Sequence, residues 1–251
     1  MTEHGFVEPQ LPNLIDLLAR AFGSAPWTGF LLLWQDLIFS LAIACVIVLF
    51  ALFAGSRKRL IPGRAQNFAE ITAGGIDDFI CGVLGKRGRA HTPFIGTLFI
   101  YILLMNLAGL IPFIKSPTAN WSTTLALSLC VFGYVQYTAF KELNFSGYFY
   151  HLMGRPKGFL AASVVLPLLM LFMHIFSELI RPISLSLRLR SNIWGDDMLL
   201  AVISGFGIAG MPLVLFNYIL AIIASVVQAM VFCLLTLIYL ALFMEHEQES
   251  N

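Results

Sequence analysis

Charged residues are scarce in this chain of 251 residues. Lysine, arginine, aspartate and glutamate make up 12% of it, against about 25% in an average soluble domain, while hydrophobic residues make up 59%. The basic and acidic residues nearly cancel, and the net charge of +1 offers no electrostatic footprint for nucleic acid. With a mean hydropathy of +0.84, the composition excludes a soluble globular enzyme and a disordered chain. It indicates an all-α polytopic membrane protein.

Signals for disulfides, metals and secretion are also missing. The four cysteines are scattered and form no CxxC pair or disulfide framework. The first ten residues are polar and acidic, which is not typical of a signal peptide. We therefore expect no metal site and no cofactor.

Apolar runs separated by charged residues predict about five transmembrane helices and one surface helix within a single membrane domain. The predicted elements are an outer N-terminal segment over 1–30, a first span over 31–54, an inner-surface amphipathic helix over 61–88, spans over 93–112 and 121–140, long helices over 159–203 and 212–244, and an inner tail over 245–251.

The last third of the chain contains a run of 47 residues, 198–244, without any charge. As one helix it would be about 70 Å long, more than twice the roughly 30 Å of the hydrocarbon core. The glycines between 205 and 210 and the proline at 212 mark a turn. The two long helices are therefore expected to form a tilted hairpin.

The distribution of basic residues sets the expected orientation. Ten lysines and arginines fall in segments 55–92 and 141–158, whereas the opposite loops contain only Arg20 and Lys115. Because cytoplasmic loops are enriched in basic residues, the N-terminus is expected outside and the C-terminus in the cytoplasm.

The first long helix carries three arginines, Arg181, Arg188 and Arg190, in an apolar setting where charge is costly. Steps of three and four residues predict one polar helix face, formed by His174, Glu178, Arg181, Arg188, Asn192 and Asp196. Such a face could relay protons or water along the helix. Alternatively, Glu178 and Arg181 form a local ion pair that only fixes packing.

Four stretches of the sequence are distinctive in combination. Residues 181–192 read RPISLSLRLRSN and residues 228–240 read QAMVFCLLTLIYL, which resemble the two signature motifs of the membrane subunit a family of F-type ATP synthases. Residues 61–64, IPGR, and residues 105–112, MNLAGLIP, match two further family segments in the same order. The resemblance covers residues from about 30 to 244.

This resemblance implies an ion-translocating role, with protons as the expected ion. Subunit a of the family stands beside a rotating ring of c subunits, each with one mid-membrane carboxylate. Arg188 matches the arginine that faces the ring, while Gln228 and Asn192 match its polar neighbours. The resemblance implies that this arginine separates two half-channels, so that ion flow drives rotation and ATP synthesis.

The residues that form the half-channels in the family match this sequence only in part. The half-channel position that precedes the arginine in the family matches His174 here, with Glu178 one turn later. The half-channel position that follows the arginine matches Asp197. The family's usual polar partner in the last helix falls on Ala221, which cannot carry a proton. We expect Asn217 or water to take its place.

Two further departures concern Gly109, where some relatives have an acid, and Arg190, where an aromatic residue is usual. The role of Arg190 is open.

The expected partners are the c-ring, the stator subunit b, the rest of the ATP synthase and the lipid bilayer, with no nucleic acid. The chain is not expected to be an enzyme on its own or to bind nucleotides. We expect it in a bacterial inner membrane, although an organelle inner membrane also fits. The alternatives are an independent secondary transporter or channel, which predicts inverted repeats, and an intramembrane hydrolase, which needs ligands or a nucleophile on several spans.

Overall fold

Six α-helices and three short 3₁₀ segments make up the described parts of this computed structural model, residues 34–55, 63–111, 116–152 and 162–248. The helices are α1 (Gln35–Gly55), α2 (Arg64–Leu84), α3 (Thr92–Ala108), α4 (Trp121–Leu152), α5 (Ala162–Ser204) and α6 (Met211–Gln248). The predicted outer segment 1–30 lies outside the described residues, as do the first residues of the spans predicted at 31 and 159 and the end of the tail, 249–251.

Four of these helices, α1, α4, α5 and α6, are long and apolar enough to cross a membrane. Helix α3 is apolar but shorter, with 17 residues, which corresponds to about 25 Å. The chain is therefore an all-α polytopic membrane protein, as its composition predicts.

Helices α2, α3, α4 and α6 end four or more residues away from their predicted ends, α6 at Gln248 within the predicted tail, whereas α1 and α5 end within one residue of theirs. Helix α2 ends at Leu84 rather than 88, because Gly85 adopts a positive φ of 67° and starts a 3₁₀ segment over Gly85–Ala90. Helix α3 ends at Ala108 rather than 112, where the Gly109 amide bonds to the Asn106 carbonyl in a tighter turn. A proline at 112 also disfavours helix in the residue before it.

Helix α4 continues to Leu152, well beyond the predicted end at 140. The prediction placed the end at the first charge, Lys141. A charged residue limits the part of a helix that fits in hydrocarbon but does not break its hydrogen bonds. The apolar part of α4, Trp121–Lys141, is accordingly shorter than the helix itself.

Helices α5 and α6 form a hairpin around Gly207, whose positive φ of 59° lets the chain reverse. They contain 43 and 38 residues, which correspond to about 64 and 57 Å of helix. Both exceed the roughly 30 Å hydrocarbon core, so a hairpin of this length cannot stand upright within it.

The core lies where α5 packs against α4 and α6, and where α6 also packs against α3. From α5 it takes Leu185 and Leu189, and from α6 it takes Ala229 and Phe232, all buried. None of the apolar residues of helix α1 is buried in the interior. The packing therefore fixes the middle of α5, which carries the predicted polar face, between two long helices.

Candidate functional site

The residues of the predicted polar face all lie on one continuous helix, α5. Within the described residues, however, no single network of contacts joins them. Glu178 and Arg181 contact each other and the neighbouring helices. Asn192 contacts α6. Arg188 lies between these two groups and is exposed.

The Glu178 carboxylate is the centre of the first group. Its Oε1 accepts a hydrogen bond from Nη1 of Arg181 at 2.5 Å, and its Oε2 accepts one from Nε2 of Gln136 in α4 at 2.7 Å. The Arg181 guanidinium lies 4.4 Å from the ring centroid of Tyr239 in α6. This arrangement joins α4, α5 and α6 and forms the local ion pair that the sequence allowed as an alternative to a relay.

His174 lies one turn before Glu178 and is half-buried. Its Nδ1 is 2.9 Å from the backbone carbonyl of Met170, the residue four positions earlier. Since a carbonyl only accepts, this contact places the proton on Nδ1 and leaves Nε2 as the acceptor of the neutral ring.

Arg188 is exposed, as is Leu187 beside it, whereas Leu185 and Leu189 on the packed side of α5 are buried, at 4% and 0% exposure. No hydrogen bond, ion pair or ring contact joins Arg188 to any other described residue. Arg190, two positions later, has its guanidinium 5.3 Å from the ring centroid of Trp121 in α4. Two residues correspond to about 200° around a helix, so Arg188 and Arg190 lie on opposite sides of α5.

Asn192 and Gln228 form the second group. Nδ2 of Asn192 donates a hydrogen bond to Oε1 of Gln228 at 2.8 Å. Gln228 is buried, and its Nε2 has no hydrogen-bond partner among the described residues. The structure thus brings together two of the predicted site residues, one turn along α5 from Arg188.

A third polar group surrounds a small cavity of about 40 Å³ between α3, α5 and α6. Its lining includes Asp196 and Asp197 from α5 and Asn217, Ala221 and Ser225 from α6. A cavity of this size has room for water. Asp197, Asn217 and Ala221, which sequence reasoning placed in one half-channel, therefore lie around one cavity.

Asn106 of α3 also lines this cavity, and sequence reasoning did not single it out. Its Oδ1 accepts a hydrogen bond from Thr118 at 3.1 Å, while its Nδ2 has no partner among the described residues. Asn217 is buried in the same wall with its Oδ1 likewise unpartnered. The cavity is thus lined by an unpaired donor and an unpaired acceptor, which water molecules can satisfy.

Gly109 lines the same cavity, and the structure explains why this position carries no acid. A Cβ atom at Gly109 would lie 2.7 Å from Cβ of Ser116. Ser116 is itself fixed by hydrogen bonds to the Met105 carbonyl and to Thr118. A side chain at 109 would therefore require this loop to move.

Comparison with known proteins identifies the family. The sequence profile of the family described as ATP synthase A chain matches residues 37–241. The chain belongs to that family. The ATP synthase subunit a of Protochlamydia amoebophila is 38% identical over 252 residues, which cover 97% of this chain and 92% of that protein.

Two further members of the ATP synthase A chain family are similar over a somewhat smaller part of the chain. The ATP synthase subunit a of Nitratidesulfovibrio vulgaris is 35% identical over 85% of this chain and 87% of that protein. The ATP synthase subunit a of Desulfotalea psychrophila is 39% identical over 81% of this chain and 82% of that protein. Membership of this family places the chain in the membrane sector, CF(0), with a role in ion transport and ATP synthesis as a non-catalytic component of the complex.

The sequence contains a signal for two residues of the site that motif and spacing arguments do not single out. Gln136 is a lone amide in the apolar part of α4, and Asn106 lies within the MNLAGLIP segment. A polar side chain in an apolar span is expected to have a partner on another helix. The identity of that partner depends on how the helices cross.

Proposed function

We propose that this chain translocates protons as subunit a of an F-type ATP synthase, with Arg188 facing the carboxylates of a rotating c-ring. The observation that carries the proposal is the difference among the three arginines of α5. Arg181 is paired with Glu178 and Arg190 is stacked on Trp121, whereas Arg188 is exposed and has no partner among the described residues. An exposed guanidinium on an apolar helix surface requires an anion from another subunit, because an unpaired charge in the membrane is costly.

The charge of Arg188 explains how ion passage is coupled to rotation. A nearby cation favours the ionised form of a carboxylate, so a ring carboxylate that reaches Arg188 releases its proton. Arginine retains its own charge in a poorly solvated site, where lysine need not. Arg188 thereby blocks a direct leak between the half-channels, and the membrane potential supplies about 2.3 kcal/mol per charge per 100 mV to drive the ring.

Gln228 and Asn192 act beside Arg188 as polar neighbours rather than as proton carriers, since an amide does not titrate in this range. Their mutual hydrogen bond holds α6 against the segment of α5 that presents Arg188. The unpartnered Nε2 of Gln228 remains available as a donor to a carboxylate that approaches Arg188.

The two half-channels fall on either side of Arg188 along α5. His174 and Glu178 lie before it, on the side that the basic residues assign to the cytoplasm. Asp197 and Asn217 lie after it, around the 40 Å³ cavity. Asn217 and cavity water take over the role that Ala221 cannot perform, because Asn217 offers an unpaired oxygen within the same wall.

The proposed partners are the c-ring, the stator subunit b and the other subunits of the complex. We place the chain in a bacterial inner membrane with its N-terminus outside and its C-terminus in the cytoplasm. The exposed Lys86 follows α2 on the inner side of this topology. A cysteine at Lys86→Cys should react with an impermeant maleimide in inverted vesicles but not in intact spheroplasts, and the reverse pattern would overturn the topology.

Site-directed photocrosslinking tests the proposed function. In a background without native cysteines, a benzophenone maleimide is attached at Ile223→Cys, on the exposed side of α6, or at Leu129→Cys, on the exposed side of α4. The first position should capture a small hairpin subunit of the ring, identified by mass spectrometry, and the second should not. Capture of no ring subunit at Ile223→Cys would contradict the proposal and favour an independent transporter.

A further inference from the structure

An amide on α4 is hydrogen-bonded to a buried carboxylate on α5. Nε2 of Gln136 donates to Oε2 of Glu178 at 2.7 Å, while Nη1 of Arg181 donates to Oε1 of the same carboxylate at 2.5 Å. These are the hydrogen bonds that the carboxylate accepts within the described residues. Because Glu178 is only 8% exposed, its hydrogen bonding depends on these two partners.

The two partners of Glu178 differ in what they offer to a carboxyl group that has taken up a proton. A guanidinium carries only donors, so Arg181 cannot accept a hydrogen bond from the O–H of a carboxylic acid. A side-chain amide carries both donors and an acceptor. Rotation of the Gln136 amide by half a turn exchanges Nε2 for Oε1, and Gln136 then accepts a hydrogen bond where it donated one before.

The other surroundings of Glu178 are mostly apolar. A cavity of about 20 Å³ lies against Glu178 and Arg181. Ser128 and Tyr239 also line it, but neither is hydrogen-bonded to Glu178 within the described part of the chain. The remaining lining is apolar and consists of Val131, Phe132, Val135, Pro182 and Leu185. A polar group without a hydrogen bond is costly in such surroundings, so the acid form of Glu178 depends on Gln136 as its acceptor.

Charged and titratable groups surround Glu178 on three helices. On α5 itself, His174 lies one turn before it and Arg181 one turn after it. Helix α4 contributes the uncharged amide of Gln136, and α6 contributes the phenol ring of Tyr239 beside the Arg181 guanidinium. Arg181 favours the ionised carboxylate, whereas burial favours the neutral acid. Because these two effects oppose each other, Glu178 can take up and release a proton without a change in helix packing.

We propose that Gln136 is a positioning residue for the proton that Glu178 carries, a role that rests on the proposed function, in which Glu178 belongs to the inner half-channel. An arriving proton bonds to Oε2 of Glu178, since Oε1 faces the donors of Arg181, and the Gln136 amide turns to accept the new O–H. When this O–H bond breaks, the proton passes to water on the cytoplasmic side, the carboxylate is restored and the amide turns back. Gln136 itself gains and loses no proton.

Two substitutions at Gln136 separate this role from a purely structural one. Gln136→Lys keeps a donor to the carboxylate but removes the acceptor, whereas Gln136→Met removes both at similar side-chain length. The thermal midpoint of the purified complex and ATP-driven acidification of inverted vesicles are measured for each variant.

Gln136→Met should acidify about threefold more slowly, the effect of one average hydrogen bond between membrane helices. Gln136→Lys should keep the thermal midpoint yet acidify at least as slowly as Gln136→Met. Tyr137→Phe, at an exposed neighbouring position of α4 that is 67% exposed, is the control and should change neither quantity. Acidification by Gln136→Lys at the rate of the unchanged chain would overturn the proposal, as would loss of assembly in both variants, because either result indicates a structural role.

A pH series adds a readout that a structural role would not change. The medium contacts the cytoplasmic side of inverted vesicles, and each rate of Gln136→Met is divided by the rate of Tyr137→Phe at the same pH, which removes the pH dependence of ATP hydrolysis. This ratio should vary with pH, because Gln136 acts through the protonation of Glu178, and a constant ratio would overturn the proposal.

Arg188→Ala in the same vesicles distinguishes the two possible failures. If Arg188→Ala still acidifies, the proposed function itself fails. If Arg188→Ala abolishes acidification while the ratio for Gln136→Met is constant, only the role of Gln136 fails.

Discussion

Nδ2 of Asn192 donates a hydrogen bond to Oε1 of Gln228 at 2.8 Å, which joins the two arms of the long hairpin one turn from Arg188. The separation between these residues in sequence is 36 positions, so the contact depends on the hairpin being closed. It therefore couples the packing of α5 on α6 to the position of the arginine.

The first prediction concerns this hydrogen bond. Asn192→Leu and Gln228→Leu should each slow ATP-driven acidification of inverted vesicles, because each leaves α6 less firmly attached beside Arg188. The double variant should be less impaired than the product of the two single effects, with a coupling of about 0.6 kcal/mol, the average for hydrogen bonds between membrane helices. Ser191→Ala, which changes an exposed neighbour of Asn192, is the control. Strictly multiplicative effects would show that the two side chains do not act together.

The second prediction concerns the ion pair before Arg188. Arg181→Met removes the partner of Glu178, a carboxylate that is only 8% exposed. Removing one partner of a buried pair costs about 3–5 kcal/mol, so assembled complex should become scarce and its thermal midpoint should fall. The double variant Arg181→Met with Glu178→Gln should recover much of this loss, since Gln136 can still bond to the amide at 178. If the double variant were no more stable than Arg181→Met, the broken ion pair would not be the cause of the lost stability.

The third prediction concerns the cavity between α3, α5 and α6. Asn217→Leu should fill part of its 40 Å³ with an apolar side chain and remove the unpaired acceptor. Acidification should slow while assembly is retained, since Leu and Asn have the same number of side-chain heavy atoms, branched at the same carbon. Ile219→Leu, at an exposed position of the same helix, should leave the rate unchanged. Unchanged pumping in Asn217→Leu would remove Asn217 from the half-channel.

The fourth prediction concerns the surface helix α2, outside the membrane-spanning segments. The hydrogen bond from Thr92 to Oδ1 of Asp77, at 2.7 Å, lowers the pKa of Asp77 below its ordinary value of 3.8, and Arg89 at 3.2 Å acts in the same direction. A lowered folded-state pKa contributes stability above the unfolded-state pKa, and this contribution is lost as the pH falls through the folded-state value.

The measurement for Asp77 is amide hydrogen exchange of the α2–α3 junction, compared between variants at each pH. At neutral pH, Thr92→Val should exchange faster there than the unchanged chain, because it removes the main cause of the lowered pKa. Below the folded-state pKa of Asp77 the two should converge, since the carboxyl is protonated in both. A difference that persists unchanged into acid would show that Thr92 stabilises the junction by another route.

The parts of the fold that local sequence determines were predictable. The charge-free run of 198–244 exceeds the thickness of a membrane, which requires a turn, and the structure has one at Gly207. The pair of Glu178 and Arg181 was predictable as an alternative because residues three apart face each other on a helix.

The contacts between helices were not predictable in the same way. Gln136 bonds to Glu178 across 42 positions, and Asn106 lies in the same cavity wall as Asn217. Helical periodicity gives the face on which a side chain lies but not the helix that this face meets. For the same reason, the sequence predicts one polar face on α5 but not that its residues contact α4, α6 and a cavity in turn. It also gives no signal for the contact between Arg190 and Trp121.

The measurement that tests the central claim most directly is ATP-driven acidification of inverted vesicles that carry Arg188→Ala, beside the unchanged chain and beside Arg190→Gln. Assembly of the complex is verified first by co-purification of its subunits. We predict that Arg188→Ala abolishes acidification with assembly intact, whereas Arg190→Gln, on the opposite side of α5, still pumps. Unimpaired acidification in Arg188→Ala would contradict it, because the exposed arginine would then not be the charge that the ring must pass.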